Sequence, residues 1–285
     1  MEVSLMYSWE KKVGDIEVFI LKDGETEFGA ETFSGTNQSE INELLKVNHR
    51  KTIETNFNAF LIKSGGKNIL IDAGAGTLFG PVAGNLPKAL EEVGVMNDDI
   101  SNIIATHLHP DHIGGMISQA GNKVFENATL TLTQDEYSFW NKEENFKSNP
   151  EDQNLPLSVL AAYSENLNLT SGNADLGLGL SAIDLPGHTA GHIGIMISSG
   201  NDQMAIVGDI IHAQYLQINN PEIGVVFDQD VDQARQSRKR ILDLLASEKI
   251  MFTGGHLLSP AVGYVESNGL NYSWVQAGKD EVAIN

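Results

Sequence analysis

Three imidazoles and one carboxylate fall within six positions in the segment Ile104-Ala-Thr-His-Leu-His-Pro-Asp-His-Ile-Gly-Gly115, at His107, His109, Asp111 and His112. A short apolar run precedes them, so the alternating His107 and His109 read as two side chains pointing the same way at a strand end. Pro110 forces a turn and suits the first position of a helix, which puts Asp111 and His112 in that helix's first turn. A strand tip and a helix start then present ligands to one point. Imidazole and carboxylate together suit zinc first, with manganese, iron and cobalt as the other borderline divalent ions.

Three more residues of the same chemistry follow glycine at the ends of apolar runs. They are His188 in Pro186-Gly-His-Thr-Ala-Gly-His192, Asp209 in Val207-Gly-Asp, and His256 in Gly254-Gly-His. Glycine lets the backbone turn tightly beside a metal. The chain has no cysteine, so nitrogen and oxygen must supply every ligand. Two divalent ions a few ångströms apart would acidify a shared water, and that water is the expected nucleophile. Asp111 is then placed to receive or relay a proton. Esters, lactones, amides and phosphoesters all fall within reach of this chemistry.

The elements that must position these residues are legible in outline. Asp15 to Leu21 and Ala59 to Asp72 predict strands, the second a hairpin turning at Ser64-Gly65-Gly66-Lys67. Residues 86–95 predict a short amphipathic helix, Ser101 to Ala105 the strand that delivers the histidines, and Thr129 to Thr133 another strand. A helix begins at Gln134 to Trp140. The polar stretch 141–154, broken by Pro150, reads as a surface loop, and with the aliphatic residues after it forms a possible lid over 141–157. Further strands are expected near Leu180 to Leu185, Ile193 to Ile197, Met204 to Val207 and Ile250 to Phe252. Apolar spacing at i, i+3 and i+4 predicts a helix over Val231 to Leu245. Two successive halves of this kind predict an α/β protein, an αββα sandwich of two mixed sheets packed face to face with helices outside. One domain over 1–285 is expected, with 1–14 as an N-terminal extension.

Composition narrows the partners. With 18 basic against 38 acidic residues the formal net charge is −20, which excludes an electrostatic nucleic-acid binder. No apolar stretch approaches the roughly 20 residues that cross a bilayer, so no membrane partner is expected. Met1 to Asp15 lacks the apolar run of a signal peptide. The chain as written therefore reads as soluble and cytoplasmic, or as periplasmic or secreted if a leader was removed.

In this order His-Leu-His-Pro-Asp-His, Pro-Gly-His-Thr-Ala-Gly-His, Gly-Asp and Gly-Gly-His resemble the metallo-β-lactamase superfamily. Asn58-Ala-Phe-Leu, Ile71-Asp-Ala-Gly-Ala-Gly, Leu78-Phe-Gly-Pro, Asp135-Glu-Tyr-Ser-Phe-Trp, the basic run Arg235 to Arg240, and Pro260, Gly263 and Tyr272 are similar to the methyl parathion hydrolase branch. That branch also holds acyl-homoserine lactonase relatives. The resemblance implies that His107, His109 and His188 hold one metal, that Asp111, His112 and His256 hold a second, and that Asp209 bridges them. It makes Asp72 a partner that orients a ligand histidine, and the position of His212 one where lactonases carry tyrosine. Here an imidazole would touch substrate or leaving group. His192 is expected to hydrogen-bond structurally, and His49 to lie at the surface.

By the same resemblance Phe79 and Trp140 line the leaving-group pocket. In the lid, where that branch carries further phenylalanines, Phe146 is followed by Leu155 and Leu157, and such an aliphatic lid suits an acyl chain. The branch also implies a homodimer, to which Leu5 to Trp9 would contribute. The small-molecule substrate is then a phosphotriester, ester or lactone, with quorum-quenching lactonase activity as the alternative. A β-lactamase, an anion-binding thioesterase or nuclease, and a non-enzymatic metal binder are the competing classes. The last fits poorly, because a structural metal site is closed and this one is open.

Overall fold

Strands whose two faces are both apolar must be covered on both sides, and the strand Ile16–Phe28 shows the pattern. Its Ile16, Val18 and Ile20 enter one core, while Phe19 and Leu21 enter another. The same division holds along Ile53–Ser64, where Phe60 and Ile62 face the first core and Ala59 and Leu61 the second. The computed structural model of the chain describes residues 6–269, 271–278 and 283–284.

One sheet has eight strands, in the spatial order 283–284, Ser8–Val13, Ile16–Phe28, Ile53–Ser64, Lys67–Ile71, Ile100–Ile104, Thr129–Thr133 and Leu167–Thr170. Its first half is antiparallel, and the strands from Lys67–Ile71 onward run parallel. The second sheet has seven strands, in the order Tyr272–Gln276, Gly263–Ser267, Met251–Thr253, Asp202–Ile206, Ile193–Ser199, Leu180–Asp184 and Asp175–Gly177. Side chains of both sheets share the central core, among them Ile20, Phe60 and Ile71 from one and Ile195, Ile206 and Phe252 from the other. Helices cover the outer faces. This is the αββα sandwich that the strand and helix pattern predicts. Among the described residues no helix is long and apolar enough to cross a membrane.

The predicted strands are present with bounds shifted by a residue or two, except that Ile16–Phe28 and Ile53–Ser64 run well beyond the stretches read from sequence. The hairpin turns where expected, with Ser64 paired to Lys67. The helix read over 86–95 stops at Glu92, ahead of Gly94. Val231–Glu248 continues three residues past its predicted end, capped by the Asp230 side chain accepting from the Gln233 N–H and closed by Lys249 in the left-handed region.

Two expectations are corrected. Residues 1–14 are not an extension throughout, because Ser8–Val13 is a strand of the large sheet and Trp9 lies in the central core. That also places the Trp9 ring inside the molecule rather than on an interface, while Leu5 lies outside the described residues. The lid read over 141–157 is two short 3-10 turns, Glu143–Phe146 and Pro150–Gln153, followed by the helix Asn154–Ala162. Low helix propensity in a polar stretch hid those turns; the helix after them takes its stability from packing Val159 and Leu160.

Asn58 ties the two sheets together beneath the ligand loops. Its Nδ2 donates to the Gly254 and Leu257 carbonyls at 3.0 and 2.9 Å, and its backbone N–H donates to the Gly255 carbonyl at 2.8 Å. Replacing Asn58 with leucine takes the side-chain donor from the Leu257 carbonyl, while the Gly254 carbonyl keeps the Leu257 N–H at 3.3 Å, so the metal-free protein should lose about 1–3 kcal/mol of stability. Urea unfolding checks this, and an unchanged midpoint would contradict it.

Candidate metal centre

Five strands end at one edge of the sandwich, and each hands over a polar residue there. Lys67–Ile71 leads to Asp72, Ile100–Ile104 to His107, Leu180–Asp184 to His188, Asp202–Ile206 to Asp209, and Met251–Thr253 to His256. Ligand crevices of open α/β sheets form outside the carboxyl ends of strands for this topological reason. His109 precedes the one-turn helix Pro110–Ile113, which carries Asp111 and His112 with proline in its first turn.

Three overlapping groups of possible metal donors result: two divide the seven donors read from sequence, and a third joins His212 to His188 and Asp209. The ligand atoms of His107, His109 and His188 lie within 4.8 Å of one another, as do those of Asp111, His112, Asp209 and His256. Asp209 stands between them. Its Oδ2 is 2.8 Å from His256 Nε2 and 3.0 Å from His112 Nε2, and 3.7 Å from Nε2 of both His107 and His188. The structure thus brings all seven sequence-derived donors to one place, divided as the resemblance implies.

Outer partners fix the rings. His112 Nδ1–H donates to Asp72 Oδ2 at 2.7 Å, His256 Nδ1–H to the Asn56 carbonyl at 2.8 Å, and His188 Nδ1–H to Asp228 Oδ1 at 3.0 Å. Each bond holds the proton on the outer nitrogen and turns the Nε2 lone pair inward, the tautomer a metal requires. Asp72 also accepts from the Thr106 N–H and hydroxyl, at 2.8 and 2.7 Å. His192 donates from Nδ1 to the Leu185 carbonyl and accepts the Asp209 N–H at Nε2, both at 2.9 Å. With both nitrogens engaged it holds the bridging residue's backbone and has no lone pair left for a metal. His49 is exposed.

The donors fit a cation. Nε2 of His107 and His188 and Oδ1 of Asp209 are buried without a hydrogen-bond partner among the described residues. Unpaired buried polar atoms of this kind cost about 1–3 kcal/mol each. Burial, reinforced by the neighbouring imidazoles, pushes His109 down to about 3 and His107 well below the usual histidine range. These rings are therefore neutral lone-pair donors. Burial also disfavours charge on His112 and His256, yet Asp209 and Asp111 outweigh it and raise both. Asp209 is held well below the carboxylate range, because His112 and His256 overcome the burial that would raise it. Carboxylates that attract protons onto two rings attract a divalent ion to the same spot.

The cluster floors a cavity of about 580 Å³. Phe79, Trp140 and Phe146 line it, as the sequence reading expects, and so do Asp111 and His212. Leu155 and Leu157 do not. Both ride on Asn154–Ala162, where Leu155 packs against the outer core of the large sheet, so the aliphatic lid is corrected to an aromatic wall. Phe28, Phe57, Phe139 and Phe227 complete that wall. Trp140 stacks on Phe146 with centroids 4.9 Å apart, and Phe57 meets Phe79 at 5.5 Å. No lysine or arginine is among the lining residues. Phe28 and Phe57 escaped sequence reading because nothing local marks which strand residues face the site. Asp228 escaped because Phe-Asp-Gln-Asp has no ligand spacing.

His212 lies between the two sets. Its ring stacks on His256 at 4.6 Å, its Nε2 is 3.4 Å from Asp209 Oδ2, and its Nδ1 has no hydrogen-bond partner among the described residues. Burial and the adjacent His256 push it well below the usual histidine range.

Asp209→Ala should lose metal and activity together, by elemental analysis and turnover, because it removes the donor common to both sets; full activity would contradict the bridging assignment. Gly255→Ala should do nearly the same. A Cβ there would sit 2.3 Å from Asp209 Oδ1, and neither atom has room to move.

The sequence profile of the metallo-beta-lactamase superfamily matches residues 55–256. An N-acyl homoserine lactonase of Bacillus cereus is 26% identical over 180 residues, 60% of this chain and 65% of that protein. The N-acyl homoserine lactonase AiiA of Bacillus thuringiensis subsp. kurstaki is 28% identical over 181 residues, again 60% of this chain and 65% of its own. This chain thus spans slightly less than two thirds of those relatives' length. Among solved structures, AidC, a dizinc quorum-quenching lactonase in complex with its product N-hexanoyl-L-homoserine, superposes with a TM-score of 0.89 at 31% identity, covering 96% of this chain and 98% of its own. The hydrolase AbOPH of the β-lactamase superfamily gives 0.89 at 28%, covering 96% and 99%. The profile spans every donor from His107 to His256, and the chain belongs to the metallo-β-lactamase superfamily.

Proposed function

We propose that this chain is a dinuclear-metal hydrolase of neutral lactones and esters that carry a large apolar group, with N-acyl homoserine lactones as its main substrate class. One observation carries the reading: four of the seven donors, His109, Asp111, Asp209 and His256, line an aromatic-walled cavity whose lining includes no lysine or arginine. Such a wall binds apolar surface. AidC and the Bacillus lactonases, which align with most of the chain, support the lactone over other neutral acyl compounds. Zinc is the metal that the nitrogen and oxygen donors and the dizinc AidC favour.

Two divalent ions in this site would acidify a shared water and polarise the scissile carbonyl. The chain's residues do the rest. Asp111 Oδ2 lies 3.4 Å from Nε2 of both His112 and His256, at the cavity floor, where it takes the proton released on attack and returns it to the leaving oxygen. His212 faces the same space as a neutral imidazole and contacts the substrate or leaving oxygen. The stacked Trp140 and Phe146 hold the acyl chain against the aromatic wall.

A phosphotriester is the second reading. The rings of Phe57, Phe79 and Trp140 suit an aryl leaving group as well as an acyl chain, and the aliphatic lid that argued against it is absent.

Catalytic efficiency on a long-chain acyl homoserine lactone and on methyl paraoxon, with metal content verified, separates the two. The lactone should lead by tenfold or more, about 1.4 kcal/mol in barrier. The reverse preference would make the phosphotriester reading correct, and rapid nitrocefin turnover would contradict both.

A further inference from the structure

Glu136 is fully buried and takes no part in the ligand sets or the cavity lining. Buried carboxylates are rare unless paired or fully hydrogen-bonded, so the partners say why it is there. Its Oε1 accepts from the Leu108 N–H at 2.9 Å and from the Trp140 indole N–H at 2.7 Å. Its Oε2 accepts from the Thr189 hydroxyl at 2.6 Å and from the Gly191 N–H at 3.0 Å. Leu108 stands between His107 and His109, and Thr189 directly follows His188. One carboxylate therefore binds the backbone or neighbour of all three donors of the first set.

The fourth partner extends the connection to the cavity. The Trp140 ring meets His109 edge-on at 6.0 Å and stacks on Phe146. The start of the helix Gln134–Trp140 is clamped to the same turn by a second residue. Thr133 Oγ1 accepts from the Glu136 N–H and donates to the Gly191 carbonyl at 2.8 Å. The approach is close enough that a Cβ on Gly191 would lie 2.1 Å from the Glu136 nitrogen. His112 and His256, by contrast, are oriented by Asp72 and by the Asn56 carbonyl, with no contact to Glu136.

We propose that Glu136 is a positioning residue that sets the geometry of the His107, His109 and His188 site and locks it to the Trp140 wall of the cavity, leaving the second ligand set untouched. This rests on the two-metal reading above. Each carboxylate oxygen accepts two donors, and a glutamine cannot reproduce that, because its amide nitrogen would face donors. Outer hydrogen-bond partners of metal ligands typically change metal affinity 10–100-fold. The loss should fall on one site alone.

Zinc titration of the metal-free protein against a chromophoric chelator tests this, with His109→Ala and His256→Ala marking which affinity belongs to which set. Glu136→Gln should weaken the affinity that His109→Ala abolishes by about tenfold or more and leave the other within about threefold. Metal-free Glu136→Gln should also unfold at a lower temperature, since its amide faces buried donors, so the deciding readout is the split between the two affinities. Unchanged affinities overturn the proposal, as does a parallel loss of both affinities together with stability, the signature of a merely structural residue. Thr189→Val, which removes one of the four donors and little volume, should show a smaller loss at the same site, and it decides the matter if Glu136→Gln does not fold. Wild-type protein that takes up no zinc would sink the two-metal reading instead.

Discussion

A single buried carboxylate oxygen organises this molecule. Asp209 Oδ2 is within 3.7 Å of ring nitrogens from His107, His112, His188, His212 and His256, residues delivered by four separate stretches of chain. Without compensating charge such a gathering is unfavourable, since neutral rings leave lone pairs unsatisfied and charged rings repel one another. A divalent metal centre would resolve both problems. The site is therefore held open by the sandwich around it, and what stabilises the fold elsewhere bears the cost of assembling it.

That assembly depends on the two cores. The central one fixes the sheets relative to each other, so the parallel strands on each side end at a common edge. The outer one fixes the helix Gln134–Trp140 against the large sheet, which brings Glu136 and Trp140 to the ligand loops. Around the donors lies a ring of acceptors: Asp72, Asp228, the Asn56 and Leu185 carbonyls, and the side chain of Glu136. Arg238, itself buried and bonded to the Ile210, Pro221 and Ile223 carbonyls, lies 3.8 Å from Asp228 behind His188. The metal donors are thus rigid because their partners are rigid.

The cavity follows different rules from the site beneath it. Its wall comes from the strand end at Phe28, the strand interior at Phe57, the turn at Phe79, the helix end at Phe139 and Trp140, the short turn at Phe146, and the irregular stretch at Phe227. No two of those segments share a period or a motif. Their common feature is apolar area aimed at the metal edge, with no lysine or arginine among the lining residues.

The donor set was legible in the sequence because the chemistry is local: His107, His109, Asp111 and His112 sit within one strand tip and one helical turn, and His188, Asp209 and His256 each follow glycine at the end of an apolar run. The layer architecture was legible too, since it follows from period-2 and 3.6-residue patterns. The pairing of His112 with Asp72, of His188 with Asp228, and of Glu136 with two ligand loops joins residues 28 to 55 positions apart, and no spacing rule encodes them. The lid was misread for the same reason: Leu155 and Leu157 are apolar in sequence, but only packing decides whether an apolar side chain faces a cavity or a core. Residue type and spacing determined which atoms can hold a metal, and tertiary packing alone decided which surfaces a substrate meets.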